Sequence, residues 1–335
     1  MKITRRRVVL GSAAGLSLAT MGLPNLAAAQ TTTLKISHQF PGGTLTEGDF
    51  RDRLCRKFAA EVAAKTNGAL KFEVYPGSSL MKVNSQFAAL RKGALDLSLV
   101  PLSYAGGEVA ETNIGLMPGL VTSYEQAYKW KNGEVGKMLT AFLEDKGIVL
   151  VSWIWQAGGV ASRVKPLVAP EDAKGMKVRG GSREMDMILK EAGASVLTLP
   201  SNEIYAAMQT GACDAALTSS TSLISFRLEE VAKSLTSGAG ASYWFMLEPL
   251  MMSKAIFDKL PKNQQDVLLA VGAELEAFGR KGAQDDDVEV AKVSVLDAAT
   301  VGKWRDIARD TAWKDYGAKT ATAANLLKLA SDVSA

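Results

Sequence analysis

The chain has 335 residues, with 39 Lys and Arg against 35 Asp and Glu, and a formal net charge of +4. The surplus sits entirely in Lys2, Arg5, Arg6 and Arg7. Beyond residue 29, 35 basic residues face 35 acidic ones, so the one-sided basic surface that a nucleic-acid binder needs is not expected. One His and two Cys exclude His/Cys zinc sites, thiolate-held iron–sulfur clusters and paired-Cys haem attachment.

The N-terminal pattern is that of an export signal. Thr4-Arg5-Arg6-Arg7 precedes an apolar stretch from Gly11 to Leu26, and Ala27-Ala28-Ala29 leads to Gln30. Paired arginines, an apolar run and small residues read as a twin-arginine signal peptide over 1–29, cleaved near Ala29/Gln30, which places the mature protein in the periplasm. About 306 residues remain, more than one core usually holds. Hydrophobic residues make up 47% and charged residues 22%, the composition of a globular protein.

Strand and helix patterns then alternate. The strand 33–37 ends at His38, and a helix follows over 47–66. Next come a strand at 70–75, a helix near 82–92, a strand at 95–100, a helix near 124–145 and a strong strand at 148–155. The second half continues with strand 177–179, helix 182–192, strand 195–198, helix 202–210, strand 212–217 and a helix near 225–234. Such alternation predicts α/β architecture with largely parallel sheets. Ala89–Asp96 and Ala207–Asp214 share a helix–Gly–strand pattern that ends in Asp, which suggests two similar lobes. Residues 263–298 carry no Pro and an apolar stripe at Val267, Val271, Leu275 and Phe278, predicting one long helix. At ~25 residues or more it would reach ~38 Å and span both lobes. Cys55, in a helical pattern, and Cys213 are expected as buried free thiols.

The sequence has no nucleophile elbow, phosphate-binding loop or metal-spaced ligand group, so neither a metal nor another cofactor is expected. Asp285-Asp286-Asp287 reads as a solvated helix face. Arg179 stands at the end of a short strand, before Gly180-Gly181-Ser182. Ligands in open α/β sheets bind outside the carboxyl ends of strands, and a guanidinium there matches a carboxylate bidentately. On position alone, a surface ion pair is equally acceptable. Trp153, Trp155, Tyr243, Trp244 and Phe245 cluster near the presumed hinge, most of them expected in the core, with Trp155 and Trp244 as pocket candidates. Tyr104 and His38 follow strand ends and are further candidates.

Several runs together resemble the substrate-binding subunits of TRAP (tripartite ATP-independent periplasmic) transporters, the DctP-like family. They are Ile36-Ser37-His38, Tyr75-Pro76-Gly77-Ser78-Ser79-Leu80, Gly93-x-x-Asp96, Pro170-Glu171-Asp172-x-x-Gly175-x-Lys177-x-Arg179, and Leu199-Pro200-x-x-Glu203-x-Tyr205-x-x-x-Gln209-x-Gly211-x-x-Asp214. The resemblance covers residues 33–300. It implies a two-lobed binding protein with a long bracing helix, lobe I being 30–156 plus 245–284 and lobe II 157–244 plus 285–335. It implies that Arg179 grips a ligand carboxylate, with Gln156, Thr218 and Ser219 nearby. The second arginine of the sialic-acid binders would align near Gly159, which disfavours that ligand. The metal-binding acidic residue of the 2-oxoacid binders has no match around Thr218-Ser219. An organic monocarboxylate (an aromatic, hydroxy or oxo acid), handed by a monomeric protein to TRAP membrane permease subunits, is the expectation. An exported enzyme acting on a small carboxylate, or a ligand-presenting subunit for a sensor, are the alternatives.

Overall fold

The computed structural model describes residues 31–240, 242–291 and 295–334; the export signal and its cleavage point lie outside the described residues. The first half runs β1 (Thr32–His38), α1 (Phe50–Lys65), β2 (Leu70–Tyr75), α2 (Gln86–Arg91), β3 (Leu97–Leu99), α3 (Tyr124–Asn132), α4 (Glu134–Asp145) and β4 (Ile148–Ser152). It continues with β5 (Trp155–Ser162), β6 (Lys177–Arg179), α5 (Arg183–Glu191), β7 (Ser195–Leu197), α6 (Ile204–Gln209), β8 (Ala215–Ser219), α7 (Ser220–Ser225), β9 (Ser234–Leu235), β10 (Phe245–Leu247) and β11 (Leu250–Ser253). Helices α8 (Lys254–Phe257), α9 (Lys262–Glu274), α10 (Glu276–Ala291), α11 (Ala298–Ala308), α12 (Lys314–Lys319) and α13 (Ala321–Ser334) complete the chain.

Two sheets result, in the orders β2-β1-β3-β11-β4 and β7-β6-β8-β5-β10, with β9 also pairing β5. Each contains the same parallel β–α–β–α–β unit, β1 to β3 in one and β6 to β8 in the other, so the internal echo in the sequence is structural. Gly93 and Gly211 both take left-handed φ, +68° and +77°, where a side chain would be strained. Asp96 then accepts the Lys35 amide at 2.7 Å and Asp214 the Lys177 amide at 2.9 Å. Each carboxylate thereby ties the head of one strand to the backbone of its neighbour. In the turn before β6, Asp172 Oδ2 accepts the amides of Val168 (3.1 Å) and Ala169 (2.9 Å), which explains the Asp two residues after Pro170.

The architecture is the two-lobed α/β fold expected, but several elements differ in detail. The strand expected over 148–155 is two strands: the chain leaves the first sheet at Ser152 and enters the second at Trp155. It returns between Leu247 and Leu250, and the two crossings are tied by the Glu248 amide donating to the Ile154 carbonyl at 2.8 Å. An unbroken apolar run cannot signal a change of sheet. The helix expected over 124–145 is interrupted at Gly133, whose extended backbone ends α3 and starts α4. No helix spans 225–234; helix forms earlier, at α7, because Ser219 caps it by accepting the Ser222 amide.

The long helix expected over 263–298 is a tandem of α9 and α10, interrupted at Leu275. Glu276, the first residue of α10, accepts the Trp153 amide (2.9 Å) and Lys131 Nζ (2.7 Å), which anchors the helix to the first crossing. Gly279 and Gly282 let α10 lie close. Side chains there would meet Ile154 Cδ1 at 2.6 Å and Phe50 Cγ at 2.7 Å. The helix thus braces both sheets. The solvated face expected at Asp285–Asp287 is corrected for two of the three residues. Asp286 accepts Thr221 Oγ1 at 2.7 Å, and Asp287 is buried and accepts the Tyr124 hydroxyl at 2.6 Å. The C-terminal helices also bridge, since Trp304 Nε1 donates to the Val168 carbonyl at 2.8 Å and Trp313 Nε1 to that of Pro118 at 2.9 Å. Cys55 and Cys213 are buried free thiols. Among the described residues, no helix is long and apolar enough to cross a membrane.

Candidate functional site

Between the sheets, outside the carboxyl ends of β3, β6 and β8, lies a small cavity of about 240 Å³ of empty space. Ligands of parallel α/β sheets occupy such positions. Of the sequence-derived candidates, Arg179, Tyr104, Thr218, Ser219 and Trp244 line it. Gln156 stands one step behind the wall, donating Nε2 to Glu248. Trp155 packs edge-on against Trp130 in the core, with ring centroids 5.1 Å apart. His38 is buried away from the cavity, its Nε2 3.1 Å from Asp52 Oδ1 and its ring stacked on Phe40.

Arg179 is the last residue of β6 and only 2% exposed. Its guanidinium is spread out flat by three acceptors: the Leu199 carbonyl to Nε at 3.0 Å, the Leu217 carbonyl to Nη1 at 2.7 Å, and the Tyr104 hydroxyl to Nη2 at 2.9 Å. All three are uncharged. Among the described residues, no carboxylate comes within ion-pair distance of it. Burying a charge without a counter-charge is costly, so this geometry is suited to an anion supplied from outside. Tyr104 Oη also accepts the Ser201 amide at 2.9 Å, which leaves its own proton free to donate into the cavity. Gly181 makes the arrangement possible. Its φ is +95°, and a Cβ there would sit 2.7 Å from Arg179 Nη1. Asp186, behind the site, is pushed up to about 6 by burial, an effect that its Thr198 hydrogen bond and the Arg179 charge only partly offset.

Arg51 and Glu248 also line the cavity, and the sequence reading had singled out neither. Arg51 is in the first turn of α1 and 1% exposed. Asp49, the N-cap of α1, holds it in a fork, Nε to Oδ1 at 2.9 Å and Nη2 to Oδ2 at 2.6 Å. Its carbon centre lies 3.6 Å from the centroid of the Phe40 ring. Burial alone would lower its pKa, but the carboxylates of Asp49, Glu248 and Asp286 together offset that and the net shift is upward. Nη1 is turned to Ser222 Oγ (3.1 Å), Ser219 Oγ (3.4 Å) and Glu248 Oε2 (3.5 Å). Glu248 sits on the return crossing, fully buried, and burial pushes it up to about 7 despite Arg51. Among the described residues, its Oε1 and the Trp244 indole N–H have no hydrogen-bond partner.

At Gly159, where the resemblance placed a missing second arginine, an ideal Cβ would lie 1.8 Å from the Thr236 carbonyl oxygen. No side chain fits there in this packing. The second arginine of this cavity comes from α1 instead. Among the described residues, no group of three or more His, Cys, Asp or Glu could hold a metal ion.

The comparisons agree with this architecture. The model of the DctP family, bacterial extracellular solute-binding protein family 7, matches residues 42–302. The chain is 69% identical over 334 residues to a solute-binding protein of Albidiferax ferrireducens, covering 97% of this chain and 98% of that one. It is 28% identical to the C4-dicarboxylate-binding periplasmic protein DctP of Rhodobacter capsulatus, over 89% of this chain and 87% of the relative. The crystal structure of a TRAP periplasmic solute-binding protein from Rhodoferax ferrireducens, with bound malonate, superimposes with a TM-score of 0.88 at 69% identity, covering 90% of this chain and 98% of that one. The chain therefore belongs to the DctP family of extracytoplasmic solute-binding proteins, which are not enzymes, and serves a TRAP transporter by delivering an organic acid to its membrane permease.

Proposed function

We propose that the acid is a short dicarboxylate of about the size of malonate, held between the two sheets with one carboxylate on Arg179. The observation that carries this is a buried arginine without a protein carboxylate, in a cavity that also presents Arg51, Glu248 and the hydroxyls of Thr218, Ser219 and Ser222 beside Pro101, Leu116 and Met246. An acid with an apolar tail would leave Glu248 Oε1 and the Trp244 N–H buried without partners, which costs about 1–3 kcal/mol for each group. The malonate bound by the 69%-identical Rhodoferax protein supports the same reading. This replaces the monocarboxylate expected from the resemblance with a dicarboxylate.

In this reading the monomeric protein, exported and cleaved near Ala29/Gln30, is open without ligand and closed with it, and the permease subunits read the closed form. Isothermal titration with malonate and succinate, against acetate, propionate and benzoate, tests the ligand class. Micromolar or tighter binding of a diacid, with monoacids weaker by two decades or more, is expected. A monoacid that binds as tightly as the best diacid overturns the proposal.

A further inference from the structure

We propose that Glu248 reads the distal carboxyl group of the bound diacid by sharing with it one proton, which the protein takes up from solvent on binding. The inference rests on the dicarboxylate reading above. The first support is charge. Arg179 and Arg51 bring two positive charges to the cavity wall, and Asp49, forked on Arg51, removes one. A fully ionised diacid brings two negative charges. If Glu248 were ionised as well, the occupied cavity would hold two uncompensated negative charges. One proton halves that excess.

The second support is geometry. Glu248 Oε2 is already committed to Gln156 Nε2 and faces Arg51 Nη1 at 3.5 Å, while Oε1 is buried and without a partner. Two carboxyl oxygens cannot meet there unless one carries a proton. The proton therefore belongs between Oε1 and the ligand, where a carboxylic acid donates to a carboxylate. A hydroxyl or an apolar group at that end of the ligand would not call for a proton. The groups that act on Glu248 are Arg51 and Asp49 at the start of α1, and Gln156 on β5. Asp286 on α10 acts on Arg51, and the Cys55 thiol on α1, held protonated by burial, also senses the Glu248 charge. Across the cavity stands Arg179, with Asp186 behind it. In the ligand-free protein Glu248 is balanced near neutrality, at about 7, so a second negative charge beside it favours the acid form.

Calorimetry with malonate, in buffers of different ionisation enthalpy, reads the proton count directly. With Glu248 at about 7, the native protein should take up about half a proton per malonate at about pH 7, rising toward one at about pH 8. Its affinity should fall about fivefold over that interval. In Glu248→Gln, whose amide imitates the protonated acid, uptake should vanish and malonate affinity should be flat over the same range. Malonate binding with no proton uptake overturns this inference and leaves the dicarboxylate reading standing. Uptake that persists in Glu248→Gln overturns it by assigning the proton elsewhere, for example to Asp186. Absence of malonate binding sinks both.

Discussion

Arg51 Nη1 lies 3.1 Å from Ser222 Oγ, so an arginine from a helix of the first sheet is hydrogen-bonded to a helix that follows the second. Arg179 and Tyr104 make the reciprocal contact, from the second sheet to the turn after β3, at 2.9 Å. Both bonds exist only while the sheets are together. In the proposed closed form they would serve as polar latches, and each includes an arginine that lines the cavity.

Ser222→Ala should loosen one latch without touching the cation at the other. A neutral-to-charged hydrogen bond is worth about 1.5–3 kcal/mol where buried, and the neighbouring Ser219 retains part of it. The expected result is a malonate affinity lowered about 3–10-fold, with ligand-free scattering shifted toward a more extended particle. Unchanged affinity and unchanged scattering would mean that the contact accompanies closure without favouring it.

Arg179→Ala removes the only buried cation of the cavity that lacks a protein counter-charge. Breaking one side of a buried ion pair costs about 3–5 kcal/mol, so affinity should fall by about two to four decades. Arg179→Lys should recover little of this, since an ammonium cannot satisfy the carbonyls of Leu199 and Leu217 and a carboxylate in one plane. Titration of each variant by calorimetry, with circular dichroism as the check on folding, separates loss of binding from loss of fold.

Gly181→Ala tests whether the backbone positions that guanidinium. The new Cβ would stand 2.7 Å from Nη1, at a φ of +95° that L-residues avoid. Strain of about 1–2 kcal/mol should lower the melting temperature modestly. Displacement of Arg179 should lower malonate affinity tenfold or more. A variant destabilised to the same extent but binding normally would show that the guanidinium has slack.

Asp287 predicts a pH dependence. Burial pushes its carboxyl from 3.8 up to about 6, and hydrogen bonds from Ser220 and Tyr124 only partly offset this. The folded value is above the unfolded one. Its contribution to stability is therefore complete below about pH 4 and is lost as pH rises through about 6, in total roughly 2–3 kcal/mol. Asp287→Asn keeps an acceptor for Tyr124 but does not titrate. Its unfolding free energy, followed by denaturant melts from pH 4 to 7, should slope less than that of the native protein. Equal slopes would assign the titration elsewhere.

Much of the frame was legible because its signals are local. Gly93 and Gly211 mark the same helix end twice, and a strand-end arginine before two glycines marks Arg179. The crossings were not legible, because residues 148–155 are continuously apolar whichever sheet they join. Arg51 was hidden for a related reason. Helical periodicity treats a charged residue in a first turn as exposed, whereas here the N-cap Asp49 two residues earlier neutralises it and lets it be buried. The signal was an Asp-x-Arg pair at the head of the helix. Glu248 had a plainer one: it interrupts the apolar run from Tyr243 to Met252, where an ionisable residue must be buried and in need of a partner. Asp286 and Asp287 were misread because three successive acids look hydrophilic, although a helix turns each toward a different neighbour.

The order of strands has a consequence for how the chain assembles. Every strand of the second sheet lies between Trp155 and Leu247, as an insertion whose ends are adjacent, Trp155 opposite Leu247. The first sheet is discontinuous, and β4 reaches it only through β11. Until Leu250–Ser253 emerges, β4 has no strand to pair with and the edge of β3 stays bare. The inserted sheet can close on contacts within its own stretch, whereas the outer one must wait for a segment about 100 residues further along. The inner half is thus placed to form first and to act as the clasp that brings the two ends of the outer half together.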